Sequence, residues 1–248
     1  MSYDQSNPYS VHSMNQAVDV GLGLDEARVG FIRRTYAHLT VAILGLIAIE
    51  TVLFSVVPAA TMEAMVARML GGMGWLLVLG AFMVVSWVAR TWANSDTSKP
   101  MQYLGLSLYV VAQAVILLPM LYLCIRVLGD PSLPIKAGAI TATCFLGLTA
   151  FVFLTGADLS SWGKYLAIAG FVAMGVIVVG ILFGFSLGLF FSAAMVALAS
   201  GYILYDTSNI IHQYRTDQYV AASLALFASV VLLFWYVLRI LMSFSSND

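Results

Sequence analysis

A short polar segment near residue 206 interrupts a long apolar stretch of the sequence, and it contains the residues best suited to chemistry. Four side chains share one face of a helix because they are four, three and four residues apart: Tyr202, Asp206, Asn209 and Gln213. His212 lies in the same segment. An ionisable group within an apolar helix is costly and usually binds an ion, a proton or a partner side chain. The spacing predicts a supporting polar stripe around a functional Asp206, and the alternative is an ordinary acid at a helix end.

A positive charge is expected close to Asp206. Arg90 ends the second apolar run, at a depth similar to that of Asp206. An arginine in this place often extends towards lipid headgroups. A buried carboxylate, however, is tolerated when it is neutral or paired with a cation. We therefore predict that Arg90 is the counter-charge of Asp206.

A second acid, Glu50, lies about two-thirds of the way through the first apolar run. It could form a proton or cation site that faces the interior of the protein. It could equally reach the outer membrane interface through helix tilt or local water. The sequence leaves both interpretations open.

The elements that must position these residues are membrane helices. Of the 248 residues, 61% are hydrophobic and 9% are charged, whereas soluble domains have about 45–50% and about 25%. Seven apolar runs each approach the ~20 residues that cross a bilayer, with a tight turn required at residues 184–186. The runs are Thr35–Val57, Gly74–Ala89, Tyr103–Leu128, Ala137–Leu154, Tyr165–Phe183, Leu187–Asp206 and Val220–Met242.

The predicted fold class is therefore all-α: a polytopic membrane protein with seven transmembrane helices in one bundle. Backbone groups in lipid must satisfy their own hydrogen bonds, and these runs can do so as helices. Residues 1–24 are polar and lack apolar periodicity, so they predict a flexible N-terminal tail, followed by a transmembrane domain over residues 25–248. The lipid bilayer is the expected partner. Nucleic acid is not expected, because the net charge is −1 and no basic cluster is present.

The placement of Lys and Arg indicates the orientation, because cytoplasmic loops are enriched in these residues. One side of the predicted bundle carries seven of them: Arg28, Arg33, Arg34, Arg90, Lys99, Lys164 and Arg215. The other side carries four: Arg68, Arg126, Lys136 and Arg239. We predict a cytoplasmic N-terminus, a C-terminus outside, and Asp206 near the cytoplasmic face.

The sequence contains no motif for catalysis, metal binding or cofactor binding that fits the predicted membrane helices. Residues 184–188 match the G-x-S-x-G pattern of serine hydrolases, but they lie between membrane helices with no histidine in reach. The three histidines have no metal-ligand spacing. No phosphate-binding or dinucleotide-binding loop is present. The sequence thus predicts a protein that is not an enzyme and holds no metal or cofactor.

At the polar segment the chain resembles the Bax inhibitor family of seven-span membrane proteins. The similarity extends over most of the chain, and its most specific part is the end of the sixth span. The matching residues are Tyr202–Asp206 with Ile210 and His212, Thr35-Tyr36 entering the first span, Asp158-Leu159-Ser160 before the fifth, and Val237–Leu241 in the last helix.

The resemblance implies a role for three residues. In several family members two aspartates and an arginine form a pH-sensing cluster that gates a calcium leak. Asp206 matches the first aspartate and Arg90 resembles the arginine. Ser229 stands where the second aspartate is expected, ten residues before Arg239. A hydroxyl can donate a hydrogen bond to a carboxylate but cannot titrate in its place, so the resemblance implies a leak whose pH switch is in doubt.

The serine is more similar to the bacterial YccA-like branch of the family. That resemblance implies a bacterial inner (plasma) membrane location and an association with a membrane-bound AAA protease, as modulator and substrate. Residues 1–24 would then be the segment that the protease grips. Two functions follow as hypotheses: a passive calcium leak gated on the cytoplasmic side at Asp206, or a protease modulator.

Overall fold

A computed structural model describes residues 11–71, 73–95 and 98–245, with side chains from Glu26 onward. Across these residues the chain forms eight α-helices, with a π-helical turn at Leu123–Val127 after α4 and a 3₁₀ turn at Ser160–Trp162 before α6. The helices are α1 Val11–Val56, α2 Ala59–Leu70, α3 Gly74–Ala93, α4 Lys99–Tyr122, α5 Ser132–Thr155, α6 Gly163–Phe183, α7 Leu189–His212 and α8 Tyr219–Ser245.

Seven of these helices are long and apolar enough to cross a membrane, which confirms the predicted spans and the all-α fold class. The spans are all of the helices except α2, with the first beginning at Glu26. The tight turn predicted between the fifth and sixth spans is also present. α6 ends at Phe183, and Gly184 takes φ 70°, a left-handed conformation in which glycine is strongly favoured.

Part of the predicted N-terminal tail lies within the described residues. Residues 1–10 lie outside the described residues. Residues 11–24 have a helical backbone that continues into the first span, and the flexibility of the tail stays a prediction. The physical reason for the helical backbone is that helix formation has a costly nucleus but easy propagation, so a helix already fixed by the membrane can extend into polar residues.

The sequence does not predict the short helix α2, because residues 58–73 lie between two apolar runs. Met62 and Val66, one turn apart, are buried against Leu118 of α4. α2 therefore covers the end of the bundle opposite Arg90.

α8 is the central helix of the bundle. It packs against α1, α3, α4, α5 and α7. Its largest side chains with no exposed surface include Leu226, Phe227, Leu233 and Leu238. Ser229 on the same helix is also buried, so it lies against a neighbouring helix rather than lipid.

α3 approaches α4 unusually closely at Gly105. A Cβ atom at this position would lie 2.5 Å from the Ala89 carbonyl oxygen and 2.7 Å from the Ala93 nitrogen. Since these are backbone atoms that cannot move aside, glycine is required. This contact fixes the end of α3, which carries Arg90.

Candidate functional site

The structure brings Asp206 and Ser229 together between α7 and α8. The Ser229 hydroxyl donates a hydrogen bond to Oδ2 of Asp206 at 2.6 Å. The exposed fractions of Asp206 and Ser229 are 8% and 6%. Asp206 lies six residues before the end of α7, roughly 9 Å along the helix. The acid is therefore held deep in the bundle by a neutral donor on the central helix.

Arg90 lies near this pair but does not form the direct contact expected of a counter-charge. Among the described residues, the ion pairs with a nitrogen–oxygen distance of 4.0 Å or less are Lys136–Asp130 and Arg215–Asp217. The Arg90 guanidinium is exposed and lies over the Tyr109 ring, 5.5 Å from its centroid. Arg90 and Asp206 nevertheless line the same cavity.

This central cavity has a volume of about 660 Å³ and lies between α3, α4, α6, α7 and α8. Its polar end is formed by Arg90, Gln113, Tyr202, Asp206 and Ser229. The remainder is lined mainly by apolar side chains, with Arg239 at the opposite end: Leu79, Phe82, Met83, Ile116, Phe171, Met174, Ile177, Met195, Leu198 and Leu232. The volume falls in the ~300–1,000 Å³ range that is common for binding sites.

A second cavity, of about 420 Å³, lies beyond Asp206 towards the end of α7 and is called the outer pocket here. Its lining is polar and comprises Ser160, Tyr205, Asn209, Gln213, Tyr214 and Gln218. The predicted stripe is thus divided: Tyr202 and Asp206 line the central cavity, and Asn209 and Gln213 line the outer pocket. Tyr205 lines both cavities and separates them.

Two tyrosines of the polar segment attach α6 to α7. The Tyr202 hydroxyl donates to the Leu166 carbonyl at 2.8 Å, and a Cβ atom at Gly170 would collide with that hydroxyl. The Tyr205 ring lies against Gly163, where a Cβ would be 2.6 Å from the hydroxyl oxygen. Glycine at these two positions of α6 leaves room for the two tyrosine side chains. Tyr202 and Tyr205 therefore help to pack α6 on α7, a structural role that the sequence did not reveal.

The end of α7 is held from two sides. Arg28 of α1 donates from Nη1 to the Tyr214 carbonyl and from Nη2 to the Ile211 carbonyl, each at 2.5 Å. Cations are favoured at a helix C-terminus, where carbonyls lack helical partners. The Ser208 hydroxyl accepts a hydrogen bond from the Leu159 backbone N–H at 2.7 Å. Sequence reasoning missed Arg28 because no local pattern connects residues 183 or more positions apart.

His212 and Glu50 do not join the central cavity. His212 is exposed, and its Nδ1 lies 3.0 Å from the Ser208 carbonyl of its own helix. Glu50 has an exposed fraction of 7%, and neither carboxyl oxygen has a hydrogen-bond partner among the described residues. Glu50 is therefore buried in the bundle, and its role as a proton or cation site stays a prediction.

The loops around the outer pocket carry ionised acids. Asp158 accepts a hydrogen bond from the Ser160 backbone N–H at 3.0 Å, which lowers its pKa. Arg215 donates to both carboxylate oxygens of Asp217, and these bonds lower the pKa of Asp217 as well. Both acids are therefore negatively charged at neutral pH, close to Ser160 and Gln218 of the outer pocket.

Fold and site together define a class: an all-α, multi-pass membrane protein with a hydrogen-bonded acid buried between its last two spans. The family model described as inhibitor of apoptosis-promoting Bax1 matches residues 28–246. The chain therefore belongs to the Bax inhibitor family.

Individual relatives show the same similarity. Bax inhibitor 1 of Schizosaccharomyces pombe is 27% identical over 227 residues, which cover 89% of this chain and 79% of that protein. The protein LIFEGUARD 4 of Arabidopsis thaliana is 27% identical over 220 residues, covering 87% and 85%. An uncharacterized protein of Pseudomonas aeruginosa is 38% identical over 106 residues. That alignment covers 42% of this chain and about half, 47%, of the relative.

Proposed function

We propose that the protein is a passive cation leak, with calcium as its ion and Asp206 at the gate. The observation that carries the proposal is the order of the two cavities along α7, with Tyr205 between them. A polar outer pocket leads to Tyr205, and Tyr205 separates it from the central cavity that contains Asp206. A cation entering from the outer pocket would meet the carboxylate directly behind this tyrosine.

The coordination of Asp206 supports this proposal. Ser229 donates to Oδ2, and Oδ1 receives no hydrogen bond from the described residues. That oxygen is left for a water molecule or a cation in the cavity. Calcium binds carboxylate and carbonyl oxygens with flexible geometry, and the Gln113 side chain on the same cavity could supply a further oxygen.

Arg90 would set the resting state of the gate. Arg90 lines the same cavity as Asp206 without a direct ion pair, so its charge would oppose the entry of a cation while leaving room for one. The ionised Asp158 near the outer pocket has the opposite effect, because an unneutralised carboxylate raises the local concentration of cations. The proposed function is transport rather than catalysis.

The proposed location is the bacterial inner membrane with a cytoplasmic N-terminus. The excess of Lys and Arg on the Asp206 side of the bundle supports this orientation. The outer pocket would then open towards the cytoplasm and the C-terminus would lie outside.

Calcium flux into liposomes tests the proposal. Purified protein would be reconstituted with an internal calcium dye, and wild type, Asp206→Asn and Tyr205→Ala compared between pH 6 and pH 8. We expect a protein-dependent influx that Asp206→Asn changes several-fold and Tyr205→Ala increases. Glu50→Gln is the matched control, because it neutralises a buried acid that lines neither cavity. Influx no greater than in empty liposomes, for every variant, would rule out the leak.

Modulation of a membrane-bound AAA protease is the second candidate. The observation in its favour is the apolar middle of the central cavity, which offers a cation few ligands beyond Asp206. The test is degradation by a purified protease of this class, with the full chain compared with a variant lacking residues 1–24. Slow degradation that requires residues 1–24, together with an absence of flux, would favour this function.

A further inference from the structure

The central cavity opens sideways towards the lipid. Met83 of α3 and Phe171 of α6 line it from opposite sides, yet their exposed fractions are 53% and 82%. α3 packs mainly on α4, and α6 packs mainly on α7, so no extensive helix contact joins α3 to α6. Both residues lie near the middle of their helices, which places the opening at the depth of the hydrocarbon.

The part of this cavity beyond Asp206 matches an acyl chain in both lining and length. Between Ser229 and Arg239 on α8 its walls are mainly apolar. These ten residues correspond to roughly 15 Å of helix. That length is about half of the ~30 Å hydrocarbon core, the share of one leaflet.

The end of the cavity at Arg239 has the composition of a headgroup site. Trp75 and Trp235 are stacked there with ring centroids 6.1 Å apart, and aromatic residues of this kind mark the membrane interface. Nη2 of Arg239 donates to the carbonyl of Leu187, in the turn between α6 and α7. This contact places the guanidinium at the membrane surface.

The Arg239 charge is not neutralised within the described part of the chain. No carboxylate there lies within 4.0 Å of it. A guanidinium has five N–H donors and binds phosphate in a fork geometry. Arg239 therefore has donors left for an anionic group at the mouth of an apolar cavity.

We propose that the central cavity binds one acyl chain of an anionic phospholipid of the surrounding bilayer. The lipid enters sideways between α3 and α6, and its chain extends from the Trp75–Trp235 pair towards Ser229. Its phosphate is bound by Arg239. The bound lipid fills the apolar part of the cavity and leaves the Asp206 end to water and ions.

Native mass spectrometry of the full chain tests this proposal. The protein would be released from nanodiscs that contain equal parts of phosphatidylglycerol and phosphatidylcholine, and the lipids that it retains counted. We expect wild type to retain one phosphatidylglycerol. Ala173→Phe should abolish retention of that lipid because Ala173 lines the apolar part of the cavity, next to Met195 and Tyr236. Arg239→Gln should reduce the preference for phosphatidylglycerol over phosphatidylcholine roughly fivefold, the effect of one basic side chain at a membrane surface.

Each variant has a matched control. Ala169→Phe adds the same side chain to an exposed position of α6 that does not line the cavity, and Arg126→Gln removes an exposed charge on the same side of the bundle. Both should behave as wild type. Thermal unfolding of all four variants would verify that they fold. Equal retention in Ala173→Phe and Ala169→Phe would overturn the proposed cavity site. An unchanged preference in Arg239→Gln would overturn the phosphate site.

Discussion

Asp206 and Glu50 are both buried carboxyl groups within membrane spans, but their hydrogen-bond partners and surroundings differ. Their exposed fractions are nearly equal, 8% and 7%. Asp206 accepts a hydrogen bond from Ser229 and faces a cavity that also contains Arg90. Neither oxygen of Glu50 has a hydrogen-bond partner among the described residues, and Glu50 lines neither of the two cavities.

The difference shows that burial alone does not identify a site in this protein. A buried polar group costs free energy unless it is hydrogen-bonded. The bundle provides a donor, a cavity and an opposite charge for Asp206, while Glu50 has none of the three among the described residues. Asp206 therefore belongs to a built site, whereas Glu50 is expected to lower the stability of the fold.

Replacing Glu50 with leucine should give the largest effect on stability. We expect Glu50→Leu to raise the free energy of unfolding by about 1–3 kcal/mol, because an unpartnered buried carboxyl group is replaced by an apolar side chain of similar size. Thermal unfolding in detergent, followed by circular dichroism, would measure the change.

Asp206→Leu is the matched control, and it should act in the opposite direction. It removes the acceptor of the Ser229 hydroxyl and leaves that group unpaired in the core. If both leucine variants shift stability in the same direction, the distinction between the two acids is wrong.

Removing the Ser229 hydroxyl should have the next largest effect. We expect Ser229→Ala to lower the free energy of unfolding by about 1 kcal/mol, because the Asp206 carboxyl group loses its donor from the central helix. Thermal unfolding would again report the loss, and calcium flux would report any change at the gate.

Ser223→Ala is the control on the same helix. Ser223 has no exposed surface, but its hydroxyl donates to the Val220 carbonyl of its own helix at 2.8 Å. That carbonyl can also accept a helical backbone hydrogen bond. A loss for Ser223→Ala as large as for Ser229→Ala would mean that the Asp206 contact adds nothing specific.

Two glycines of α6, Gly170 and Gly175, test whether Tyr202 of α7 holds α6 in place. At Gly175 an added Cβ would meet nothing within 4 Å, so Gly175→Ala should stabilise by roughly 0.5–1 kcal/mol through helix propensity. Gly170→Ala should lose this gain, because the Cβ collides with the Tyr202 hydroxyl and displaces its bond to Leu166. Equal unfolding temperatures for the two variants would show that this contact does not hold α6.

The seven spans and the polar stripe could be predicted from the sequence, because both depend on local composition. Lipid forces long apolar runs into helices, and an acid such as Asp206 is conspicuous in such a run. Contacts between distant residues could not be predicted. The Arg28 bonds to the end of α7 and the position of Tyr205 between two cavities depend on how the helices pack, and so does the separation of Arg90 from Asp206.

The smallest effect is expected at the α7–α8 loop, where Arg215 donates to Asp217 at 3.0 and 3.1 Å. These bonds lower the pKa of Asp217 below its ordinary value of 3.8. A carboxyl group with a depressed pKa in the folded state stabilises the fold above its unfolded-state pKa, and this contribution disappears as the pH falls through the folded-state pKa. Asp217→Asn should therefore lower the unfolding temperature near neutral pH and have no effect well below pH 3.8. The pair is exposed, so we expect a decrease of at most about 2 °C, smaller still in high salt.

The comparison with Glu50→Leu sharpens this prediction. Glu50→Leu should act through desolvation and so be insensitive to salt, whereas the effect of Asp217→Asn on the unfolding temperature should vanish when either acid or salt is added. If Asp217→Asn lowered the unfolding temperature equally near neutral pH and well below pH 3.8, the Asp217 side chain would act through packing instead of charge.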